Sequence, residues 1–391
     1  MKQFAAHRRY TKAILVTSVA IGLLATGCSS SQSQPSQPSA SQAADAPLKF
    51  GMVQPNTGVQ PVVDFLNSAT KSLDISMYEF DSTYSALVDP LKAASARGVK
   101  VRILISPTSL SPTNKPVVSS DNANDVKAFN AMGFQAALAS EKEFAWYHQK
   151  SVVADANTAN ARALIADFNF AESYFTQGAS PYDPNESGTR GMAVVDSNPA
   201  DVATIVRTFN EDFPPVKKWS GSDRPDLVWA PSGPTSNPKG NSIQAFTNMF
   251  KNARSTIDAY VQVFNYETTS IILQPLLDAA KRGVKIRMVT NQKALSKAGL
   301  LPQLQAAGIN IVMAPQALND SSKYIYIHTK TVIVDQGQPS QLTYVGSANP
   351  FLNDSLNEER ELGVLVTDPG AVSQALEVFN RDYGAGKPYS N

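Results

Sequence analysis

The chain contains an internal repeat, and this feature constrains its fold more than any other. A nine-residue stretch occurs twice, as "SLDISMYEF" at 72–80 and as "TIDAYVQVF" at 256–264. An eleven-residue stretch also occurs twice, as "ARGVKVRILIS" at 96–106 and as "KRGVKIRMVTN" at 281–291. Because both pairs keep the same order, we predict two copies of one structural unit.

A third pair of segments marks where each copy ends. "TFNEDF" at 208–213 recurs as "VFNRDY" at 378–383. We therefore predict two homologous halves, 48–213 and 226–391. The stretch between them, "PPVKKWSGSDRP" at 214–225, has the prolines and polar residues of a linker.

Within each half, short apolar runs alternate with stretches of helical spacing. The predicted strands lie at 73–80, 99–106, 134–138, 146–155, 162–166 and 192–195, and at 309–313, 324–335, 342–346 and 362–366. The predicted helices lie at 85–98, 121–132, 199–213, 295–307 and 369–383. This alternation predicts an α/β fold, with two α/β sandwich halves packed about a pseudo-twofold axis.

The chain has three histidines, and two of them stand in the same nine-residue pattern. The pattern reads "YHQKSVVAD" at 147–155 and "IHTKTVIVD" at 327–335. Its polar positions are His148, Lys150 and Asp155 in the first copy, and His328, Lys330 and Asp335 in the second. On a strand, residues two apart face the same side, so each histidine is expected beside its lysine. The aspartates have the opposite parity, and we expect them to support the structure.

An imidazole beside an ammonium group suits the chemistry of a phosphodiester. The lysine stabilises charge on the non-bridging oxygens, and a neutral histidine can attack phosphorus. A second, protonated histidine can give its proton to the leaving alkoxide. Since each copy supplies one histidine, we predict a single site where the two halves meet.

The second copy carries further polar residues after its histidine. "VGSANP" places Ser347 and Asn349 two residues apart, and both can donate hydrogen bonds to phosphate oxygens. Glu361 opens the next strand and can hold an imidazole ring by its Nδ1–H.

The pattern H-x-K-x4-D, followed by G-S-x-N and an acidic residue before a strand, resembles the phospholipase D superfamily. The resemblance covers nearly the whole chain after the N-terminal segment. It implies a phosphohistidine intermediate, one active site shared by both halves, no cofactor and no metal. The metal-free expectation agrees with the absence of any histidine–carboxylate pair at ligand spacing in the sequence.

The first copy departs from the family pattern. It has "ADFN" in place of "GSAN", so Asn169 is kept but Asp167 replaces the serine. A carboxylate there would repel phosphate unless it is paired or turned away. At the place of Glu361 the first copy has Arg190 or Thr189, neither of which is acidic.

These departures predict different roles for the two histidines. We expect Glu361 to pair with His328 of its own half and to raise the pKa of that imidazole, which makes His328 the general acid. Without a carboxylate, His148 stays neutral and is the predicted nucleophile.

The N-terminus has the pattern of an export signal. A basic stretch to Lys12 precedes the apolar run "AILVTSVAIGLLA", and "LLATGC" resembles the lipobox of bacterial lipoproteins. We predict a signal peptide at 1–27, a lipidated Cys28 and a disordered Ser/Gln/Pro-rich tether at 28–47. The protein would then be exported and lipid-anchored in the bacterial cell envelope, with the outer membrane as one destination. The alternative is a cleaved signal followed by an incidental cysteine.

These observations predict a phospholipase D that hydrolyses the head-group ester of glycerophospholipids, with transfer to alcohols as a side reaction. The expected partners are a phospholipid substrate and a membrane, and the expected state is a monomer. The formal net charge is +1, and it becomes negative once the four basic residues of the first 27 are removed, which does not favour nucleic acid. A nuclease, a phosphatidyl transferase and a non-catalytic phosphate-ester-binding lipoprotein remain alternatives.

Overall fold

The structure is a computed structural model, and it describes most of the two predicted halves. The described residues are 49–110, 116–142, 144–176, 186–232, 240–264, 270–291, 299–314, 316–317 and 320–389. The predicted signal peptide, the tether and Cys28 lie outside them, as do residues 295–298 of the predicted helix 295–307. Among the described residues, no helix has both the length and the apolar character needed to cross a membrane.

The first half contains ten strands and five helices in its described part. The strands are β1 (Lys49–Gln54), β2 (Ser72–Met77), β3 (Lys100–Ile105), β4 (Thr108–Leu110), β5 (Pro116–Val118), β6 (Gln135–Leu138), β7 (Trp146–Tyr147), β8 (Ser151–Ala154), β9 (Arg162–Ala166) and β10 (Glu186–Asp196). The helices are α1 (Gln60–Asn67), α2 (Ser85–Ala96), α3 (Ser120–Ala131), α4 (Glu172–Phe175) and α5 (Pro199–Asp212).

The described part of the second half repeats this series of elements. Its strands are β11 (Leu227–Ala230), β12 (Thr256–Val261), β13 (Lys285–Thr290), β14 (Asn310–Met313), β15 (Gln316–Ala317), β16 (Asp320–Ile327), β17 (Val332–Val334), β18 (Leu342–Gly346), β19 (Glu359–Val366) and β20 (Lys387–Pro388). Its helices are α6 (Ser242–Asn252), α7 (Leu273–Lys281), α8 (Leu301–Ala306), α9 (Asn353–Asn357) and α10 (Pro369–Ala385).

Each sheet gains strands from the other half. The first sheet has the order β15-β16-β10-β9-β8-β2-β3-β6, with β1 also on β10, so two of its strands come from the second half. The second sheet has the order β11-β19-β18-β17-β12-β13-β14-β20, and β7 of the first half pairs with β19. Both exchanged contacts, β16 with β10 and β7 with β19, are parallel.

The predicted α/β class and the two homologous halves are confirmed, but the two motif strands are not continuous. In the first half β7 ends at Tyr147 and β8 begins at Ser151, so His148 and Lys150 lie between strands. In the second half β16 ends at Ile327 and β17 begins at Val332. The chain leaves one sheet for the other at these breaks, which is why a single strand cannot run through either motif.

The closing helices begin where the sequence supplies a cap. Asn198 accepts hydrogen bonds from the N–H groups of Ala200 and Asp201 at the start of α5, and Asp368 accepts from Ala371 at the start of α10. A proline follows each cap, where its missing N–H costs nothing. Apolar residues of both helices, including Ile205 and Val372, are buried in a core that also contains strand residues of both halves.

Two buried ion pairs join these closing helices to the opposite half. Arg190 on β10 pairs with Asp382 on α10, with Nε 2.7 Å from Oδ2 and Nη2 3.0 Å from Oδ1. Arg360 on β19 pairs with Asp212 on α5, with Nε 3.0 Å from Oδ2. All four residues are buried. The aspartates are those of the repeated "NEDF" and "NRDY" segments, so the repeat encodes a reciprocal contact.

Replacing Arg360 by alanine should lower the free energy of unfolding by about 3–5 kcal/mol, because the buried Asp212 carboxylate would lose its ion pair with the guanidinium group. Lys92→Ala is the control, since it breaks the exposed Lys92–Asp89 pair of 3.3 Å and should cost less than about 1 kcal/mol. Urea unfolding followed by circular dichroism measures both. Equal small losses in the two variants would contradict the importance of the crossed pairs.

Candidate active site

Each motif histidine is attached to the backbone of the other half. The N–H of His148 donates to the carbonyl of Arg360 at 3.0 Å, and the N–H of His328 donates to the carbonyl of Arg190 at 3.1 Å. The exchanged strands β7 and β16 end immediately before these residues. Both imidazoles are thereby brought to the interface, close enough for their charges to interact. The predicted single site at the junction of the halves is therefore present.

Glu361 pairs with His148, not with His328 as predicted. Glu361 Oε1 lies 2.8 Å from His148 Nδ1, and it also accepts a hydrogen bond of 2.6 Å from Ser355 Oγ. Burial alone would raise the pKa of Glu361, but the charges of His148 and Lys150 lower it to about 2. The carboxylate is therefore ionised and can only accept, so Nδ1 of His148 carries the ring proton.

The sheet register corrects the predicted counterpart of Glu361 in the first half. Asp167 N–H donates to the carbonyl of Met192, and Ser347 N–H donates to that of Leu362, so Met192 matches Leu362. The residue before Met192 is Gly191, and it matches Glu361. Arg190 and Thr189 instead match Arg360 and Glu359, one and two positions earlier.

His328 has a cationic neighbour where His148 has an anionic one. Lys330 Nζ lies 3.2 Å from His328 Nδ1 and 2.6 Å from the His328 carbonyl oxygen. While Lys330 is protonated it can only donate, so in that state Nδ1 of His328 accepts and Nε2 carries the ring proton. Lys150 Nζ donates to the carbonyl of its own histidine at 2.5 Å. The contacts of the two imidazoles thus favour opposite tautomers.

Burial disfavours the positively charged forms of the histidines and lysines in the site. It lowers the pKa of His148 to about 4 and that of Lys150 to about 8. Burial and the charge of Lys150 lower the pKa of Lys330 to about 7, and the pKa of His328 also falls well below its usual value. A phosphodiester anion would oppose these shifts, so the site is electrostatically suited to bind one.

Asp167 is paired and does not face the site as an isolated charge. Its Oδ1 accepts a hydrogen bond of 2.8 Å from Met192 N–H, and its Oδ2 accepts one from Thr329 Oγ1 of the other half. Burial raises the pKa of Asp167 to about 6, while Lys330 opposes that shift. These contacts therefore reduce the repulsion between the Asp167 carboxylate and a phosphate group.

The predicted phosphate donors have other partners in this structure. Ser347 Oγ donates to the Leu362 carbonyl at 3.2 Å and accepts from the Leu362 N–H at 3.1 Å, so its hydroxyl is engaged with β19. Asn169 Nδ2 donates to Glu79 and Tyr174, each at 3.0 Å. Asn349 is buried, and its backbone N–H donates to Ser355 Oγ at 2.9 Å, a bond that does not involve its side-chain amide. Ser347 and Asn169 therefore support the walls of the site, whereas this bond leaves the side-chain amide of Asn349 unengaged.

The two motif aspartates lie at the far ends of their strands and are not part of the reacting group. Asp335 accepts hydrogen bonds from the N–H groups of Arg254 at 2.8 Å and Ser255 at 2.7 Å. Asp155 accepts from the N–H groups of Thr70 and Lys71 at 2.7 and 2.6 Å. The structure therefore places Asp155 and Asp335 outside the reacting group, in the supporting role expected for them.

Several contributors to the site went unpredicted. Tyr78 packs edge-on against His148 and Tyr174 against His328, both with ring centroids 5.1 Å apart. Glu359 Oε2 lies 3.7 Å from His148 Nδ1. Burial and the charge of Glu361 raise the pKa of Glu359 well above its usual range. Glu359 stands two residues before Glu361 on β19, so strand parity alone signals that the two carboxyl groups share a face.

His148, Glu359 and Glu361 are also the only group of three potential metal ligands in the described part of the chain, with ligand atoms within 4.8 Å of one another. The sequence argument against a histidine–carboxylate cluster was therefore wrong. The donor set nevertheless fits a cation poorly, because Nδ1 and Oε1 are joined by a hydrogen bond and the charges of Lys150 and Lys330 act on the same carboxyl groups. We assign the trio to proton handling.

Comparison with known families agrees with this geometry. The family model described as "Cardiolipin synthase, PLD-like domain" matches residues 62–213 and 246–383, which is one match for each half. The chain belongs to the phospholipase D superfamily. Its members process phosphodiester bonds. A search of curated proteins gave no match.

Two solved structures share this fold over most of the chain. A phosphatidylserine synthase from Haemophilus influenzae has 12% identity and a TM-score of 0.60, over 88% of this chain and 87% of that one. A polyphosphate kinase from Porphyromonas gingivalis has 14% identity and a TM-score of 0.61, over 85% of this chain. This chain covers only 50% of the kinase. The phospholipase D family member Nuc from Salmonella typhimurium matches 42% of this chain at 18% identity, with a TM-score of 0.34.

Asp335→Asn should destabilise this superfamily member by about 1–3 kcal/mol without changing kcat, because a charged acceptor of backbone N–H groups is lost. Burial opposes ionisation of Asp335, but the bonds from Thr256 and Ser255 lower its pKa. The stability difference should therefore be full at neutral pH and disappear as the pH falls through that lowered pKa. Urea unfolding across pH and kinetics well below Tm test this. A fall in kcat of about 100-fold in the folded variant would contradict a supporting role.

Proposed function

We propose that the protein is a phospholipase D that hydrolyses the head-group phosphodiester of glycerophospholipids, with His148 as nucleophile and His328 as general acid. The observation that carries this proposal is the pair of unlike contacts at one interface: a carboxylate lies 2.8 Å from His148 Nδ1, and an ammonium group lies 3.2 Å from His328 Nδ1. These contacts favour a proton on Nδ1 and a free lone pair on Nε2 in His148, and a proton on Nε2 in His328. One ring is prepared to attack and the other to donate.

The first step forms a covalent intermediate. His148 Nε2 attacks phosphorus, and the bond between phosphorus and the head-group oxygen breaks. The Nε2 proton of His328 passes to the departing alkoxide while Lys330 gives a proton to Nδ1, so the ring stays neutral. Glu361 holds the positive charge that develops on His148. Lys150 and Lys330 turn from the carbonyls of their own histidines to the non-bridging phosphate oxygens.

The second step releases phosphatidic acid. Water attacks phosphorus, and His328 Nε2 takes its proton while Nδ1 returns a proton to Lys330. The phosphorus–nitrogen bond breaks, which returns His148 to its neutral form. An alcohol in place of water gives a new phosphatidyl ester by the same route. A phosphatidyl transferase is therefore the second candidate function, and it is favoured by the match to a phosphatidylserine synthase over most of both chains.

The lipid substrate is proposed from the rest of the chain. The lipobox-like end of the N-terminal segment would place the enzyme on a membrane. The slightly negative balance after residue 27 does not suit a nucleic-acid-binding surface. A nuclease and a non-catalytic phosphate-ester-binding protein are the outcomes that would replace this proposal.

The substrate class is tested with the full chain in detergent micelles, offered phosphatidylcholine, phosphatidylglycerol and single-stranded DNA side by side. We expect release of head group and phosphatidic acid, and formation of phosphatidylethanol when ethanol is added. His148→Ala and His328→Ala should each lower kcat by about 1,000-fold or more, and the double variant should be no worse, since the pair acts as a unit. His7→Ala is the matched control and should keep full activity.

Trapping of the intermediate tests the roles. After a denaturing alkaline quench during turnover, the phosphate-ester adduct should map to the peptide with His148. An adduct on the peptide with His328 would reverse the assignment. Cleavage of DNA with no lipid turnover would replace the phospholipase proposal by the nuclease, and tight binding without any product would replace it by the binding protein.

Anchoring by Cys28 is tested in cells. We expect the wild-type chain in the membrane fraction of an expressing bacterium with incorporated radiolabelled fatty acid. Cys28→Ala should lose the label, because the acyl chains attach through that cysteine. A wild-type chain without label would favour the alternative of a cleaved signal and an incidental cysteine.

A further inference from the structure

In the first half a carboxylate, that of Asp167, lies immediately after β9, whereas Glu361 of the second half lies on β19. Gly191 on β10 occupies the position of Glu361. A Cβ atom at Gly191 would lie 3.0 Å from Asp167 Oδ1 and 2.8 Å from Phe168 Cδ1. The Asp167 carboxylate and the Phe168 ring therefore occupy the space in which a side chain at position 191 would begin.

Asp167 is held rigidly across the interface. Its side chain is fully buried, and its two oxygens accept from the Met192 N–H of its own half and from the Thr329 hydroxyl of the other half. Thr329 stands between His328 and Lys330. The carboxylate therefore reaches the second motif at its centre, although it comes from the first half.

Titratable groups from several elements packed around Lys330 act on it. Lys150 disfavours its protonated form, whereas Asp167, Glu361 and Glu359 favour it, and the effect of Asp167 is the largest of the three. Asp167 is therefore the main local compensation for the Lys330 ammonium group, whereas Glu361 has that role for Lys150. Lys330 is in turn the group 3.2 Å from His328 Nδ1.

We propose that Asp167 is the positioning residue for the general acid: its carboxylate, fixed at the centre of the second motif by Met192 and Thr329, offsets the charge of the Lys330 ammonium group, which donates to His328 Nδ1 and leaves the ring proton on Nε2. Glu361 acts directly on His148 and puts the proton on Nδ1. Asp167 acts through a lysine and puts the proton of the other histidine on the opposite nitrogen. The departure from G-S-x-N in the first motif thus produces two unlike histidines in a site built from like halves. The tautomers do not depend on the substrate, and only the catalytic consequence rests on the proposed function.

Nuclear magnetic resonance of the full chain with ¹⁵N-labelled histidine tests this directly, because the chain has only three histidines. At neutral pH we expect the proton on Nδ1 of His148 and on Nε2 of His328. Asp167→Asn should move the His328 proton toward Nδ1 and leave His148 unchanged, whereas Glu361→Gln should disturb His148. Asp196→Asn is the matched control, since Asp196 is a buried carboxylate before α5 whose pKa burial raises to about 7. It should change neither ring.

Kinetics give an independent measurement. Activity that requires protonated Lys330 falls as the pH rises, and loss of the Asp167 charge should shift this basic limb of kcat/KM to lower pH by about one unit or more. A merely structural role would lower kcat at every pH and leave the limb in place.

A milder variant covers the case in which Asp167→Asn does not fold. Thr329→Val removes the hydroxyl that orients the carboxylate and keeps the shape of the side chain. It should shift the His328 tautomer in the same direction by a smaller amount. An unchanged His328 tautomer in either folded variant overturns the proposal, whatever the enzyme proves to hydrolyse. A loss of lipid turnover with the expected tautomer shift would instead leave the proposal standing.

Discussion

The parallel pairing of β7 with β19 and of β16 with β10 is the contact on which the rest of the structure depends. Each pairing carries one motif histidine across to the other half, where its N–H binds the carbonyl of a buried arginine. The same arginines, Arg190 and Arg360, pair with aspartates of the closing helices. One set of interactions therefore joins the halves and assembles the site. An enzyme built this way cannot separate its halves without losing its chemistry.

Charge inside the site is balanced by residues of both halves. Two lysines and two histidines are surrounded by Glu361 and Asp167, and burial strengthens each of these interactions because water does not screen them. Burial also disfavours the two ammonium groups, since it lowers the pKa values of Lys150 and Lys330. In the proposed function, the negative charge of a phosphodiester would offset this cost. Binding and activation of the substrate would then follow from the same desolvation.

The two halves depart from symmetry, and this departure makes the surroundings of the two histidines different. The fold places equivalent histidines in equivalent positions, yet a reaction with one nucleophile and one acid needs them to differ. Gly191 leaves room that the Asp167 carboxylate and Phe168 fill, whereas the equivalent position of the second half carries Glu361. The neighbours of the two rings differ for this reason: a carboxylate lies against His148 and an ammonium group against His328.

Local patterns predicted the elements well and failed where the chain crosses between sheets. Apolar runs and caps indicated β2, β3, β9 and the closing helices, because their periodicity reflects burial against near neighbours. The motif stretches also look like single strands, since their residues are β-branched and buried. They are broken because the residues on either side of His148 and His328 pair with different sheets. A stretch that is buried on both faces has apolar residues whichever sheet it belongs to, so its sequence does not show where the chain passes from one sheet to the other.

The sequence by itself determined the two homologous halves, the α/β class and the two histidine–lysine pairs with their phosphodiester chemistry. A repeat can be recognised along the chain, and each pair is separated by only two positions. Only the tertiary structure decided which carboxylate serves which histidine. Glu361 follows His328 in the chain, yet it lies against His148, because strand pairing across the interface joins residues 213 positions apart. Such a contact depends on how two sheets meet, and no local spacing records that.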